Sequence, residues 1–334
     1  MPKLKKITYL VMGSNSFSGS NFIDYLLNKN HKVVGISRSG ELKKEFLPYK
    51  FNDNLKFFKF KKIDINNNIN QLKKIIIKYR PSIIVNYIAQ GMVAESWLNP
   101  QDWYQTNIVS QTQIYKEFSK FKFIKKLIHV STPEVYGNTP NKIKENYNFN
   151  PSTPYAISRA TMDTHLFKFF KNYKLPVIFT RTANVYGPGQ QLYRIIPKSF
   201  MCSKKNLKFN LHGGGKSLRS FIHIFDASRA TYLISEKGKI GETYHISTKE
   251  FISIKTLVKK ISKLQNLPFK KLCRIDTDRI GKDHSYKLNA SKLMQKLNWK
   301  PTISINEGLI LTKRWIDNNY QKFKKLNLKY KHKK

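Results

Sequence analysis

A short apolar run, Ile7 to Met12, stops at Gly13, and the same rhythm returns five more times before residue 183. The runs Lys32–Ser37, Leu55–Ile63 (ending at Asp64), Ser82–Ala89, Ile124–Ser131 and Val177–Thr182 are bounded by Gly, Pro, Asn or Asp, the pattern of β-strands. Ser82–Ala89 is nearly all apolar, which predicts a strand covered on both faces. Between the runs the period changes. In Gly19–Asn30 the residues Phe22, Ile23, Leu26 and Leu27 fall on one side of a helix. Asn67–Tyr79 predicts a second helix, stopped by Arg80-Pro81, and Gln101–Phe121 and Tyr155–Asn172 predict two more. Alternating strand and helix imply parallel strands with helices on both faces, a doubly wound α/β sheet.

After Gly187-Pro188-Gly189 the pattern becomes irregular: short strands, the turn Gly213-Gly214-Gly215, and helices near Ser253–Gln265 and Ile305–Asn319. The expected organisation is a Rossmann-type nucleotide-binding domain over residues 1–186 and a smaller mixed α/β cap over 187–320, some of whose segments return to the core. The basic stretch 321–334 reads as a solvated, frayed tail. The 334 residues, 40% hydrophobic, suffice for such a core. No apolar run is long enough to span a bilayer, and Ile7–Met12 is too short for a signal peptide. Cys202 and Cys273 make neither a disulfide framework nor a metal cluster, so a reduced, cytoplasmic protein is expected. The 62 Lys and Arg against 20 Asp and Glu give a net charge of +42. Such a charge suits nucleic acid or a membrane surface. Here, however, the lysines are spread along the chain, in company with the Asn, Ile, Phe and Tyr that A/T-rich codons also favour. Compositional drift, plus a positive field that draws in a small anionic substrate, accounts for them. Neither nucleic acid nor membrane is expected as a partner.

The turn Gly13-Ser14-Asn15-Ser16-Phe17-Ser18-Gly19 lies between the first strand and the first helix. Gly13 permits the tight turn, Gly19 a close helix–sheet approach, and the helix N-terminus offers amides to a pyrophosphate. A dinucleotide there would meet Gly13, Asn15, Ser16, Phe17 and Gly19. Beyond them come Ser37 and Arg38 after strand two, Asp64 and Ile65 after strand three, and Ala89 after strand four. Ser37 and Arg38 stand where NAD binders usually carry an acid, which favours NADP over NAD. In so basic a chain Arg38 could also be one more surface cation. Asp64 could face the adenine or cap the next segment. Ser131-Thr132-Pro133-Glu134-Val135-Tyr136-Gly137 ends strand five with hydroxyls and a carboxylate, and Tyr155 and Arg159, four apart, share a helix face. A cation beside a phenol lowers its pKa and makes it a usable acid or base. His129, inside a strand, reads as a core or supporting histidine, and His223 and His245 lack metal-ligand spacing.

Together these segments resemble the extended short-chain dehydrogenase/reductase family, in its NAD(P)-dependent nucleotide-sugar epimerase/dehydratase branch. Ser131–Gly137, Asn184-Val185-Tyr186-Gly187-Pro188, Arg219-Ser220-Phe221-Ile222-His223, Asp278-Arg279-Ile280-Gly281-Lys282-Asp283 and Leu297-Asn298-Trp299-Lys300-Pro301 look like dTDP-glucose 4,6-dehydratases. Val34-Gly35-Ile36-Ser37-Arg38 looks more like the NADP-using GDP-mannose 4,6-dehydratases. The resemblance implies that Thr132 orients the sugar, Tyr155 takes the C4 hydroxyl proton, Glu134 is the base at C5, and Arg159 replaces the usual lysine beside the nicotinamide ribose. It implies Asn184, Arg194, Arg219 and Arg279 as the sugar-nucleotide binders, no metal, and a homodimer paired through the Gln101–Phe121 and Tyr155–Asn172 helices. Two departures stand out. Arg159 keeps the charge without lysine's compact geometry. Pro133 replaces the aspartate that, in dTDP-glucose enzymes, protonates the leaving C6 hydroxyl. The implied activity is a 4,6-dehydratase. The alternatives are a 4-epimerase or uronate decarboxylase of the same family, and, from a different class, a non-catalytic nucleotide- or RNA-binding protein on this scaffold.

Overall fold

The computed structural model describes residues 7–278, 281 and 283–333. In it the six apolar runs become strands of one parallel sheet: β1 (Thr8–Met12), β2 (Lys32–Ser37), β3 (Phe58–Lys62), β4 (Ile83–Asn86), β5 (Lys126–Ser131) and β6 (Val177–Thr182). A seventh strand, Thr243–Ile246, returns from the second half and pairs with β6. The order is Thr243–Ile246, β6, β5, β4, β1, β2, β3, so the winding reverses between β4 and β1. That reversal opens a crevice at the carboxyl ends of the strands, where open α/β sheets place their ligands.

Strand period fixes what lies on each face. Tyr9 and Val11 join Phe22, Ile23, Leu26 and Leu27 of α1 (Phe17–Asn28) and Ile234 of the helix Ile224–Lys237 in one buried layer. Leu10 and Met12 point the other way, to Leu72 and Ile76 of α2 (Ile69–Tyr79) and to residues of two later helices. Burial of each such side chain contributes about 1.5–3 kcal/mol, which is why the sheet is apolar on both faces. A third cluster, with Phe200, Leu257, Ile261, Leu309, Ile316 and Phe323, forms the core of the smaller α/β portion.

Four sequence expectations are corrected. β3 begins at Phe58, because Leu55–Phe57 forms a 3₁₀ turn. β4 ends at Asn86, whose side chain accepts the Ile88 N–H at 2.9 Å and turns the chain out of the sheet. The helix expected over Gln101–Phe121 is broken into α3 (Pro100–Tyr104), a π-helical turn Gln105–Ser110, and α4 (Gln111–Phe118). α5 (Pro154–Tyr173) follows the expectation closely. The last correction concerns the tail. The helix Ile305–Phe323 runs past residue 321 with Phe323 fully buried, and Leu328 packs into the third core. The chain then folds back toward α3, so this segment is docked, not frayed.

Candidate active site

The turn after β1 is shaped by what its glycines leave out. Gly13 has φ +81°, and a Cβ there would meet the Tyr87 carbonyl carbon at 3.0 Å. A Cβ on Gly19 would lie 2.3 Å from the Gly13 carbonyl oxygen. Ser16 caps α1 by accepting the Gly19 N–H at 3.0 Å, and no acid sits in the first turn to offset the positive helix end. Ser37 accepts the Asn15 N–H at 2.9 Å, and the Asn15 amide donates to the Gly40 carbonyl at 2.8 Å, so the first two strand-end loops are tied together.

These loops enclose a cavity of about 330 Å³. Of the sequence candidates, Gly13, Asn15, Ser16, Ser37, Arg38, Asp64, Ile65 and Ala89 line it. Phe17 and Gly19, which lie behind the turn in the helix, do not, and neither do Tyr155 and Arg159 of α5. Asp64 accepts the Asn66 N–H at 3.0 Å, so it both lines the cavity and caps its own turn. Sequence reading missed Gln90, which also lines the cavity. Asn107, from the π-helical turn, accepts the Gln90 N–H at 2.9 Å and donates to the Gln90 carbonyl at 3.1 Å and to Ser158 of α5 at 2.9 Å. The bulge in the helix is what turns Asn107 inward, a use to which π-turns are often put.

At the end of β5, Thr132 precedes a 3₁₀ turn, Pro133–Tyr136, and its hydroxyl donates to the Glu134 carboxylate. Tyr155 enters from the first turn of α5, which Thr153 caps by accepting the Ala156 N–H at 3.1 Å. The Tyr155 hydroxyl shares a hydrogen bond with Thr132, and Tyr155 feels the Glu134 charge. Thr132, Glu134 and Tyr155 are thus brought together. Burial and then the Glu134 charge raise the Tyr155 pKa above its ordinary value; Arg159, the Thr132 hydrogen bond and Arg194 pull it back only in part. Arg159 does lower it, as expected, but desolvation outweighs a single cation. Burial likewise raises the Glu134 carboxyl, against the lowering effect of a backbone hydrogen bond and of Arg219 and Arg194.

Arg159 is buried, and its Nη2 donates to the Val130 carbonyl and lies 3.4 Å from His129 Nε2. Its Nε and Nη1 have no hydrogen-bond partner among the described residues. His129 bonds Tyr115 at 2.6 Å, and its Nε2 lies 3.4 Å from Asp163, which takes the Arg181 guanidinium at 2.9 and 3.1 Å. Arg181 continues to the Tyr136 hydroxyl, which bonds His245 at 2.8 Å. This buried chain pins β5, α5, β6 and the strand Thr243–Ile246 to one another behind Glu134 and Tyr155.

Arg194 and Arg219 both reach Glu134 electrostatically. The Arg219 guanidinium donates to the carbonyls of Leu218 (2.7 Å), His284 (3.1 Å) and Asp283 (2.8 Å) and lies 4.0 Å over the Tyr286 ring. Asp283, which sequence reading gave no role, is buried near Glu134 with its carboxyl raised by burial. Asn184 is half-buried at the start of the strand Asn184–Tyr186. Arg279 lies outside the described residues.

The glycine cradle, the helix end and the unpartnered Arg159 nitrogens fit a nicotinamide dinucleotide. Comparison with known proteins agrees. Residues 10–312 match the family model described as GDP-mannose 4,6 dehydratase. The chain is 30% identical to a dTDP-D-glucose 4,6-dehydratase of Dictyostelium discoideum, over 96% of this chain and 83% of that one. A dTDP-glucose 4,6-dehydratase of Streptomyces venezuelae, solved with NAD, superposes with a TM-score of 0.87 at 26% identity, covering 94% of this chain and 98% of that one. A UDP-glucose 4-epimerase of Thermotoga maritima, solved with UDP-glucose, superposes with a TM-score of 0.85 at 26% identity, covering 94% and 100%.

Proposed function

Since the chain belongs to the GDP-mannose 4,6 dehydratase family, we propose that it is an NAD(P)-dependent nucleotide-sugar 4,6-dehydratase. The observation that carries this reading is the clustering of Thr132, Glu134 and Tyr155 in one cleft, where the carboxylate accepts the Thr132 hydroxyl and its charge raises the tyrosine's pKa. Gly13, Asn15 and Ser16 would hold the dinucleotide pyrophosphate, Ser37 and Arg38 its adenosine end, and Arg159, with Nε and Nη1 unspent, its nicotinamide ribose. When bound, the nicotinamide supplies the acceptor for the C4 hydride and the donor that returns it to C6. Tyr155 takes the proton of the C4 hydroxyl, and Thr132 orients that hydroxyl. The resulting ketone acidifies C5–H, and the Glu134 carboxylate removes that proton. Pro133 can donate nothing, so Glu134, whose raised pKa suits a group that gives back what it has taken, protonates the departing C6 hydroxyl and water leaves; once the hydride is at C6, Glu134, reprotonated from solvent, returns a proton to C5. Arg194 and Arg219 supply positive charge for the substrate diphosphate, a role shared with Arg279 and, through hydrogen bonding, Asn184.

NADP is the preferred dinucleotide, because Ser37 and Arg38 close the adenosine end without an acid. Two copies pair through the face carrying exposed Val109 and Ile157, and the free thiols Cys202 and Cys273 suit a cytoplasmic setting.

The second reading, 4-epimerisation, is favoured by Pro133 and by the likeness to the epimerase. The two differ at C5–H, which an epimerase never breaks. In deuterated water the wild-type enzyme, screened with GDP-, dTDP-, UDP- and CDP-hexoses, should place deuterium at C5 of a 4-keto-6-deoxy product. Glu134→Gln should stop at the 4-keto hexose with protium at C5. A wild-type enzyme that oxidises a hexose nucleotide and exchanges nothing at C5 is an epimerase.

A further inference from the structure

The segment after the helix Ile305–Phe323 forms one wall of the cavity assigned above to the dinucleotide. It leaves the third core at Leu328 and crosses to the sheet. The Tyr330 ring packs edge-on to Tyr193, with centroids 5.3 Å apart. His332 stacks on the buried Trp103 at 5.0 Å and 10° and bonds the Asp102 carboxylate at 2.7 Å. The Lys333 carbonyl accepts Gln90 Nε2 at 2.7 Å and Arg38 Nη2 at 3.0 Å. Tyr330, Lys331 and Lys333 line the cavity together with Gly13, Ser16 and Ala89. The space therefore lies between the glycine turn and the tail. The tail covers it and does not fill it.

We propose that residues 330–333 are a built-in strap that completes the dinucleotide site and holds the cofactor in place. The inference rests on the dinucleotide reading of that cavity. The strap has two anchors. The Phe323–Leu328 stretch fixes one end in the smaller core, and His332, clamped between Trp103 and Asp102, fixes the other on α3. Lys331 lies between them and Lys333 just past the second; both line the cavity with the adenosine-end residues Ser37 and Arg38, where the ligand chemistry is phosphate. Retention matters for the proposed reaction in particular. A hydride removed from C4 must come back to C6 within the same turnover, so loss of the dinucleotide midway aborts the cycle. Binding elements that close over a ligand act chiefly on its rate of departure.

The test uses the full chain and a form ending at Lys329, which keeps the Phe323 and Leu328 anchors. Stopped-flow displacement of NADPH, or of NADH if wild type binds that more tightly, reads the dissociation rate. Truncation should speed dissociation by about tenfold or more. His332→Ala, which removes the latch and spares the lysines, should speed it in the same direction but less. An unchanged ligand-free melting temperature in both shows that the fold is intact. Lys331→Ala with Lys333→Ala should flatten the salt dependence of dinucleotide affinity. A truncated form that releases the dinucleotide at the wild-type rate, or more slowly, overturns the strap. A full-length chain that binds no dinucleotide at all instead overturns the reading of the cavity, and the strap with it.

Discussion

At the scale of single residues, two substitutions in otherwise familiar motifs decide what this site can do. Pro133 takes away a proton donor, and the protein is left with Glu134, whose carboxyl burial holds above the usual range. A carboxyl so raised is a weaker acid and a better shuttle, so one residue can take the C5 proton and return it to the leaving hydroxyl. Arg159 is the second. Its guanidinium is partly spent on the Val130 carbonyl, and its charge does not overcome the burial of Tyr155. Arg38 offers the most direct experiment. It lines the cavity and donates to the Lys333 carbonyl. Titration of wild type should show tighter binding of NADP than of NAD, and Arg38→Asp should erase or reverse the order, because an acid there repels a 2′-phosphate and accepts a 2′-hydroxyl. Equal affinities in both proteins would make Arg38 an ordinary surface cation.

At the scale of elements, the π-helical turn between α3 and α4 is the feature with consequences. A regular helix would carry Asn107 elsewhere on its circumference. The wider turn aims it at the chain leaving β4, where it satisfies both backbone groups of Gln90. Leaving a buried N–H and C=O unpaired costs about 1–3 kcal/mol per group. Asn107→Ala should lower unfolding stability by about 1–3 kcal/mol in urea titration, the scale of one such penalty. It should also weaken dinucleotide binding, since Gln90 lines the cavity. Loss of stability with wild-type affinity would confine Asn107 to a structural role.

For the whole molecule, the buried pair Asp163–Arg181 joins α5 to β6 with no exposure on either side chain. Burial pushes the Asp163 carboxyl up, but Arg181 and the His129 hydrogen bond outweigh it and hold the pKa at about 2. A carboxyl depressed on folding stabilises the protein above its unfolded pKa of 3.8, and that contribution is lost as pH falls from there through about 2. Asp163→Asn leaves Arg181 charged and unpaired in the interior, which costs about 3–5 kcal/mol. Chemical denaturation at neutral pH should show that loss, and the gap between mutant and wild type should narrow as the pH is taken from 4 toward 2. A mutant as stable as wild type at neutral pH would mean that the network carries no net stabilisation.

The amino-acid sequence alone determined the strand–helix alternation, the glycine turn, and the placing of Thr132 and Glu134 together after one strand. Each of these is a local matter: period 2 against period 3.6, a residue without Cβ at φ +81°, or side chains a few positions apart at the end of one strand. It also located eight of the twenty residues that line the cavity, because loops at the carboxyl ends of parallel strands must converge. The tertiary structure decided the rest. The break in the Gln101–Phe121 helix follows from a partner at Gln90 that no helical periodicity encodes. The rise of the Tyr155 pKa above its ordinary value depends on how much water the folded cleft excludes. Asp283 reaches Glu134, and Lys333 reaches Arg38 and Gln90, across more than a hundred residues of chain. Local sequence carries no record of such meetings; only the packing of the whole chain brings those groups into range, and a basic tail that reads as solvated became a wall of the site.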